Sequence, residues 1–121
     1  MSGPWIAVDP PRELSLWERA AIGRLAPEAT EEAILSLRVT DHCGCGCSSV
    51  GFSEVRHFPV AEAEAADADG FPISVMLFAS SDETVLATLD VLRVDGGPIQ
   101  RLPSPEDLNV KRTSSWSGAA A

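Results

Sequence analysis

The chain contains no tyrosine, two histidines, and nine lysines and arginines against eighteen aspartates and glutamates. These scarcities exclude whole classes of function. Nucleic-acid binding needs clustered cations for the phosphates and aromatic platforms for the bases, and here the few basic residues are scattered. A net charge of −9 instead favours solubility, cation attraction or a basic protein partner. No apolar run approaches the roughly 20 residues of a membrane-spanning helix. The longest, "ISVMLFA", has the length of a strand. The first residues show no basic stretch followed by an apolar one, so no secretory leader is expected and a cytoplasmic location is. No phosphate-cradling glycine loop is present. The acids Glu62, Glu64, Asp67 and Asp69 lack the register of a calcium loop and read as a solvated loop.

Three cysteines are too few, and odd in number, for a disulfide framework. What stands out is their placement in "DHCGCGCSSV", with Cys43, Cys45 and Cys47 separated only by Gly44 and Gly46. Thiolates are soft ligands suited to zinc or copper(I). Side chains two apart on a straight strand lie about 6.6 Å apart and do not converge on one ion. Glycine tolerates positive φ, so this segment can curl and turn successive thiols inward. The candidate metal set is Cys43, Cys45 and Cys47, with His42 or His57 as fourth ligand and Asp41 as an outside candidate. Zinc is the preferred metal and copper(I) the second. Two other readings compete. The thiols are small packing residues in a tight connection, or they form a strained, easily reduced Cys-Gly-Cys disulfide with a third thiol beside it. An iron–sulfur cluster needs a fourth cysteine that the chain does not have. Cys–His catalysis would draw on Asp41, His42 and His57, but nothing in the spacing fixes their geometry, so a non-enzymatic domain is expected.

The rest of the chain reads as a single domain over residues 13–109. An extended lead-in (1–12) with three prolines precedes it, and a small polar tail (110–121) expected to be disordered follows it. Ser15 and Glu18 form a capping-box signature for a helix from Leu16 to Leu25, with Trp17, Ala21 and Leu25 on one face and Pro27 beyond its end. Thr30 is placed to cap a short turn through Glu31 and Glu32, and alternation from Leu35 to Thr40 predicts a strand. Further strands are expected in "SSVGFSEVRHF", with Val50 and Phe52 on one face and Pro59 at its end, in "FPISVMLFAS" and in "VLATLDVLRVD", the last two as a hairpin over residues 73–94. "PVAEAEAADADG" reads as a helical turn or loop ending in the Asp69-Gly70 turn. Ser104-Pro105 reads as one capped turn, and Gly96-Gly97 as the end of a strand. Trp5 and Trp17 are expected in the core, and Trp116 in the tail. The predicted fold class is α+β, an N-terminal helix packed on an antiparallel sheet of about four strands.

"ELSLWERAAIGRL", "HCGCGCSSVGF" and "ADGFPISVMLFAS…VLATLDVLRVDGGPIQRLPSPEDL" together resemble a group of small uncharacterised proteins of actinobacterial type. Those proteins share an opening helix, a central C-x-C-G-C motif and a closing "P-x-P-x-x-L" stretch. Cys43, Cys45 and Cys47 match that motif. The resemblance spans about residues 13 to 108. It implies a recurring cysteine arrangement and an α+β shape, and carries no activity with it. The reading that results is a small acidic, non-enzymatic interaction or regulatory module with a zinc-binding cysteine loop. The rival is a thiol redox or metal-handling protein built on the same cysteines.

Overall fold

The computed structural model describes residues 5–43, 48–52, 58–80 and 85–112. Two helices, α1 (Leu16–Leu25) and α2 (Glu31–Ser36), lie between the first two of seven strands. The strands are β1 (Trp5–Glu13), β2 (Arg38–Cys43), β3 (Val50–Gly51), β4 (Phe58–Ala66), β5 (Pro72–Ala79), β6 (Leu86–Arg93) and β7 (Asn109–Arg112). All pair antiparallel in one sheet ordered β1-β2-β3-β6-β5-β4-β7.

This corrects the α+β expectation of a helix on about four strands. The expected strand regions fall on β2, β3, β5 and β6, but they are four of seven, and two differ in extent: Leu35 and Ser36 belong to α2, with the strand starting at Arg38, and β3 spans Val50–Gly51 alone, while residues 53–57 lie outside the described residues. The other three fall where local preference argues against a strand. Pro10 and Pro11 sit in β1, and the β1–β2 register slips between Ala7 and Arg12 so that residues 8–11 stand opposite Thr40 alone. Proline has no N–H to give a ladder and is tolerated at such an edge irregularity. β4 alternates alanine with glutamate, residues of low strand preference. It is held because β5 and β7 supply ladders on both sides. β7 lies in the segment read as tail, and Arg112 at its end pairs with Glu28 just after α1.

The α1 boundaries agree with the sequence reading, and the capping box forms. Glu18 N–H donates to the Ser15 hydroxyl at 3.1 Å, and Ser15 N–H donates to the Glu18 carboxylate at 2.8 Å. Each such bond satisfies a backbone donor that has no partner within the helix. The buried stripe is Ala21, Ile22 and Leu25, and these join Ile73, Val75 and Leu77 of β5 and Leu89 and Val91 of β6 in a single apolar core. Burying a side chain of this size contributes about 2 kcal/mol. Trp17 is half-buried at the core's margin, its indole Nε1–H donating to Pro103 O at 2.6 Å. Arg24 donates to the carbonyls of Pro105 and Leu108, so α1 fixes the return segment that leads into β7. Trp5, expected in the core, is 40% exposed on the edge strand. Trp116 lies outside the described residues.

Candidate functional site

β2 ends at Cys43 and β3 begins at Val50, and the two run antiparallel through the pairs Asp41–Gly51 and His42–Val50. The two strands are joined through the cysteine motif, of which Cys43 alone among the thiols is described. Cys43 N–H donates to Ser49 O at 3.1 Å, closing the reversal on its inner pair. Ser48 N–H donates to Val91 O, and the Ser49 hydroxyl accepts from Val91 N–H at 2.9 Å. The turn is thus fastened to the C-terminal end of β6. Gly51 leaves room for the Asp41 carboxylate, since a Cβ at that position would meet Asp41 Oδ1 at 2.1 Å and force that side chain to move.

Side chains of antiparallel partners lie on the same side of a sheet, and consecutive residues on opposite sides. His42, Val50, Leu89 and Leu77 form one cross-strand row on the core side. Asp41, Gly51, Thr88 and Phe78 form a row on the other side, and Cys43, two residues after Asp41, falls on that side with its partner Trp5. His42 and Cys43, both named as ligands from the sequence, therefore leave the sheet in opposite directions. Cys43 is buried and His42 half-buried. The His42 ring Nδ1 lies 3.2 Å from the Cys43 carbonyl oxygen. Cys45, Cys47 and His57 lie outside the described residues, and among the described residues no group of three or more His, Cys, Asp or Glu is placed to hold a metal ion.

The side of the sheet away from the core carries a second feature. Asp90, Met76, Glu62 and Lys111 form one row across β6, β5, β4 and β7, and Leu92, Ser74, Glu64 and Asn109 form the next. Met76 and Phe78 are half-buried at its centre, Glu62, Asp41 and Asp90 are half-buried around them, and Glu64 and Lys111 are exposed. Carboxylates therefore surround a small apolar patch, with Lys111 the one cation in these rows.

A third cluster was missed from the sequence. Arg93 ends β6 on the core side, in step with Leu89 and Val91, and its side chain is 9% exposed. It donates to Asp67 (2.9 Å), to both oxygens of Asp69 and to Asp95 (3.0 Å), and its guanidinium lies 4.7 Å from the centre of the Phe71 ring. Asp67, with its side chain fully buried, also accepts from the backbone N–H groups of Ala68, Gln100 and Arg101. Burial alone would raise the Asp67 pKa, but these three backbone donors and Arg93 outweigh it and hold the carboxyl far below its usual range. Asp69 is lowered by the Phe71 N–H and then by Arg93, and Asp95 by Arg93 and then by the Gly97 N–H. The knot ties the β4–β5 turn, where Gly70 has φ +86°, to the β6 exit, where Gly96 has φ +81°. The two Asp-containing turns were legible, but their convergence was not. The available signal was parity, because an arginine on the buried side of an apolar strand requires carboxylates.

Fold and site define a small antiparallel-sheet domain with two helices on its core side and an acidic row of side chains on the other. Residues 11–103 match the family model described as a domain of unknown function (DUF6984), and the chain belongs to that family. Neither the curated proteins nor the solved structures contain a match. Among the described residues no helix is long and apolar enough to cross a membrane.

Proposed function

We propose that the domain is a non-enzymatic, cytoplasmic protein-interaction module that receives a basic segment of a partner on the acidic side of its sheet, away from the core. The observation that carries this reading is the face itself, with Met76 and Phe78 at its centre and Asp41, Glu62 and Glu64 around them. The net charge of −9 would steer a cationic partner toward it. The test is titration of the isotope-labelled full chain with a short Lys/Arg-rich peptide at low and high salt. Amide shifts over β4, β5 and β6, weakened by salt and by roughly tenfold in a Glu62→Lys, Glu64→Lys double variant, are expected. Absence of shifts at low salt, or shifts confined to the helices, would refute it.

A second reading concerns the turn. The antiparallel entry and exit of β2 and β3, closed by the Cys43–Ser49 bond, and the thiol spacing of the motif support zinc held by Cys43, Cys45 and Cys47 with His57 as the fourth ligand. Elemental analysis with a thiol count decides it. One zinc per chain with protected thiols supports the site, and Cys45→Ser then lowers the melting temperature, because metal binding is linked to folding. No metal with one reactive thiol points to the redox alternative, and no metal with three reactive thiols refutes both.

A further inference from the structure

The side of the sheet away from the core continues past Leu92. Val94 N–H donates to Pro72 O at 3.1 Å, which carries the β5–β6 ladder one step further. Alternation puts Val94 on the same side as Leu92 and Asp90, in a row that runs through Pro72 to Ala66. Leu92 is 38% exposed and Val94 62% exposed. Met76, half-buried, stands diagonally across from Leu92, within reach of a long side chain. These residues make an apolar stripe at the β6 flank of this side. The β4 flank is acidic. Glu62 and Glu64 stand across β5 from Asp90 and Leu92 respectively. Glu62 has Lys111 as its β7 neighbour, whereas Glu64 has Asn109, so no cation stands in the row of the exposed Glu64.

We infer that the basic partner segment is an amphipathic helix lying along β5, with aliphatic side chains on Leu92, Val94 and Met76 and lysines or arginines over Glu62 and Glu64. This rests on the basic-partner reading above and adds the shape of the segment to it. Two strand spacings, about 9.6 Å, separate β6 from β4, and a helix with its side chains is about 10–12 Å across. A helix over β5 therefore touches the stripe with one edge and the carboxylates with the other, whereas an extended segment covers a single strand spacing. Ser74, small and half-buried between Leu92 and Glu64, leaves room along the middle. A second copy of the chain does not suit the same place, because two chains of net charge −9 would set like charges against each other.

The experiment uses the full chain and two fluorescein-labelled peptides of identical composition, each of about 18 residues. At 1.5 Å per residue that length matches the roughly 27 Å of the eight-residue β5. One peptide carries leucines on one helical face and lysines on the adjacent flank, and the other has the same residues shuffled so that no face forms. In fluorescence polarisation the first should bind about tenfold more tightly than the second. A Leu92→Ser, Val94→Ser double variant should abolish that preference, with an unchanged melting temperature because both positions are exposed, and Glu64→Gln should weaken both peptides. Equal affinities for the two peptides, or a preference that survives the double variant, would overturn the inference and leave the basic-partner reading standing. Failure of both peptides to bind at low salt would remove the two together. Dimerisation of the wild-type chain in sedimentation, lost in the double variant, would overturn the inference by assigning the stripe to a second copy.

Discussion

At the end of β6, Arg93 directs its guanidinium nitrogens to three carboxylates. On α1, Arg19 has an Nε cut off from water with no acceptor at all. The side chains are chemically identical, yet the hydrogen-bond accounting is opposite. Arg93 is surrounded by acids whose other oxygens are taken by backbone N–H groups, so the cluster is complete and has nothing left for a ligand. Arg19 has an Nε–H that protein atoms enclose without bonding. A saturated polar cluster holds the chain together, whereas an enclosed donor without an acceptor adds nothing to stability.

The contrast breaks most visibly at Arg93. Arg93→Ala leaves Asp67 enclosed without its cation, and its melting temperature is expected to fall by about 10 °C or more. Arg93→Lys should recover only part of this, because an ammonium cannot serve three carboxylates in a planar fork. A fall confined to a few degrees in both variants would show that the knot is ornamental. The next largest effect is that of acid. Asp67, Asp69 and Asp95 have folded-state pKa values below their unfolded ones, so their stabilisation is complete above about pH 4. It is lost as pH falls through the folded values. Denaturation midpoints at pH 7 and pH 2.5 should show the gap between wild type and Arg93→Ala closing in acid. A gap that stays constant contradicts the assignment.

Smaller effects sharpen the comparison. Ser15→Ala removes the side-chain half of the capping box and should cost about 1 kcal/mol in urea unfolding. Arg19→Met should change stability by less than about 0.5 kcal/mol, in either direction, since it removes a donor that no protein group satisfies. A loss comparable to that of Arg93→Ala would mean that Arg19 is part of the architecture.

Much of this was written locally, and some of it was not. The Ser15–Glu18 cap and the β5–β6 hairpin depend on neighbours in sequence, and both are where the residues place them. β1, β4 and β7 depend on partners far along the chain. Prolines, an Ala/Glu alternation and a short polar stretch gave little sign that β2, β5 and α1 would hold them in place. The strands flanking the cysteine motif were legible, but the pleat that sends His42 and Cys43 to opposite sides emerges only once the register is known. Arg93 and Asp67 are 26 residues apart and meet because two turns close at the same end of the sheet.

The most direct test of the contrast follows the two Nε–H groups themselves by proton–nitrogen resonance in the full chain as the solution is acidified. The Arg93 signal should exchange slowly with water at neutral pH and shift as its acceptor Asp95 is protonated in acid, whereas the Arg19 signal, with no acceptor, should stay in place while the fold persists. An Arg93 proton exchanging as fast as an exposed arginine's, or the two signals responding alike to acid, would contradict the account.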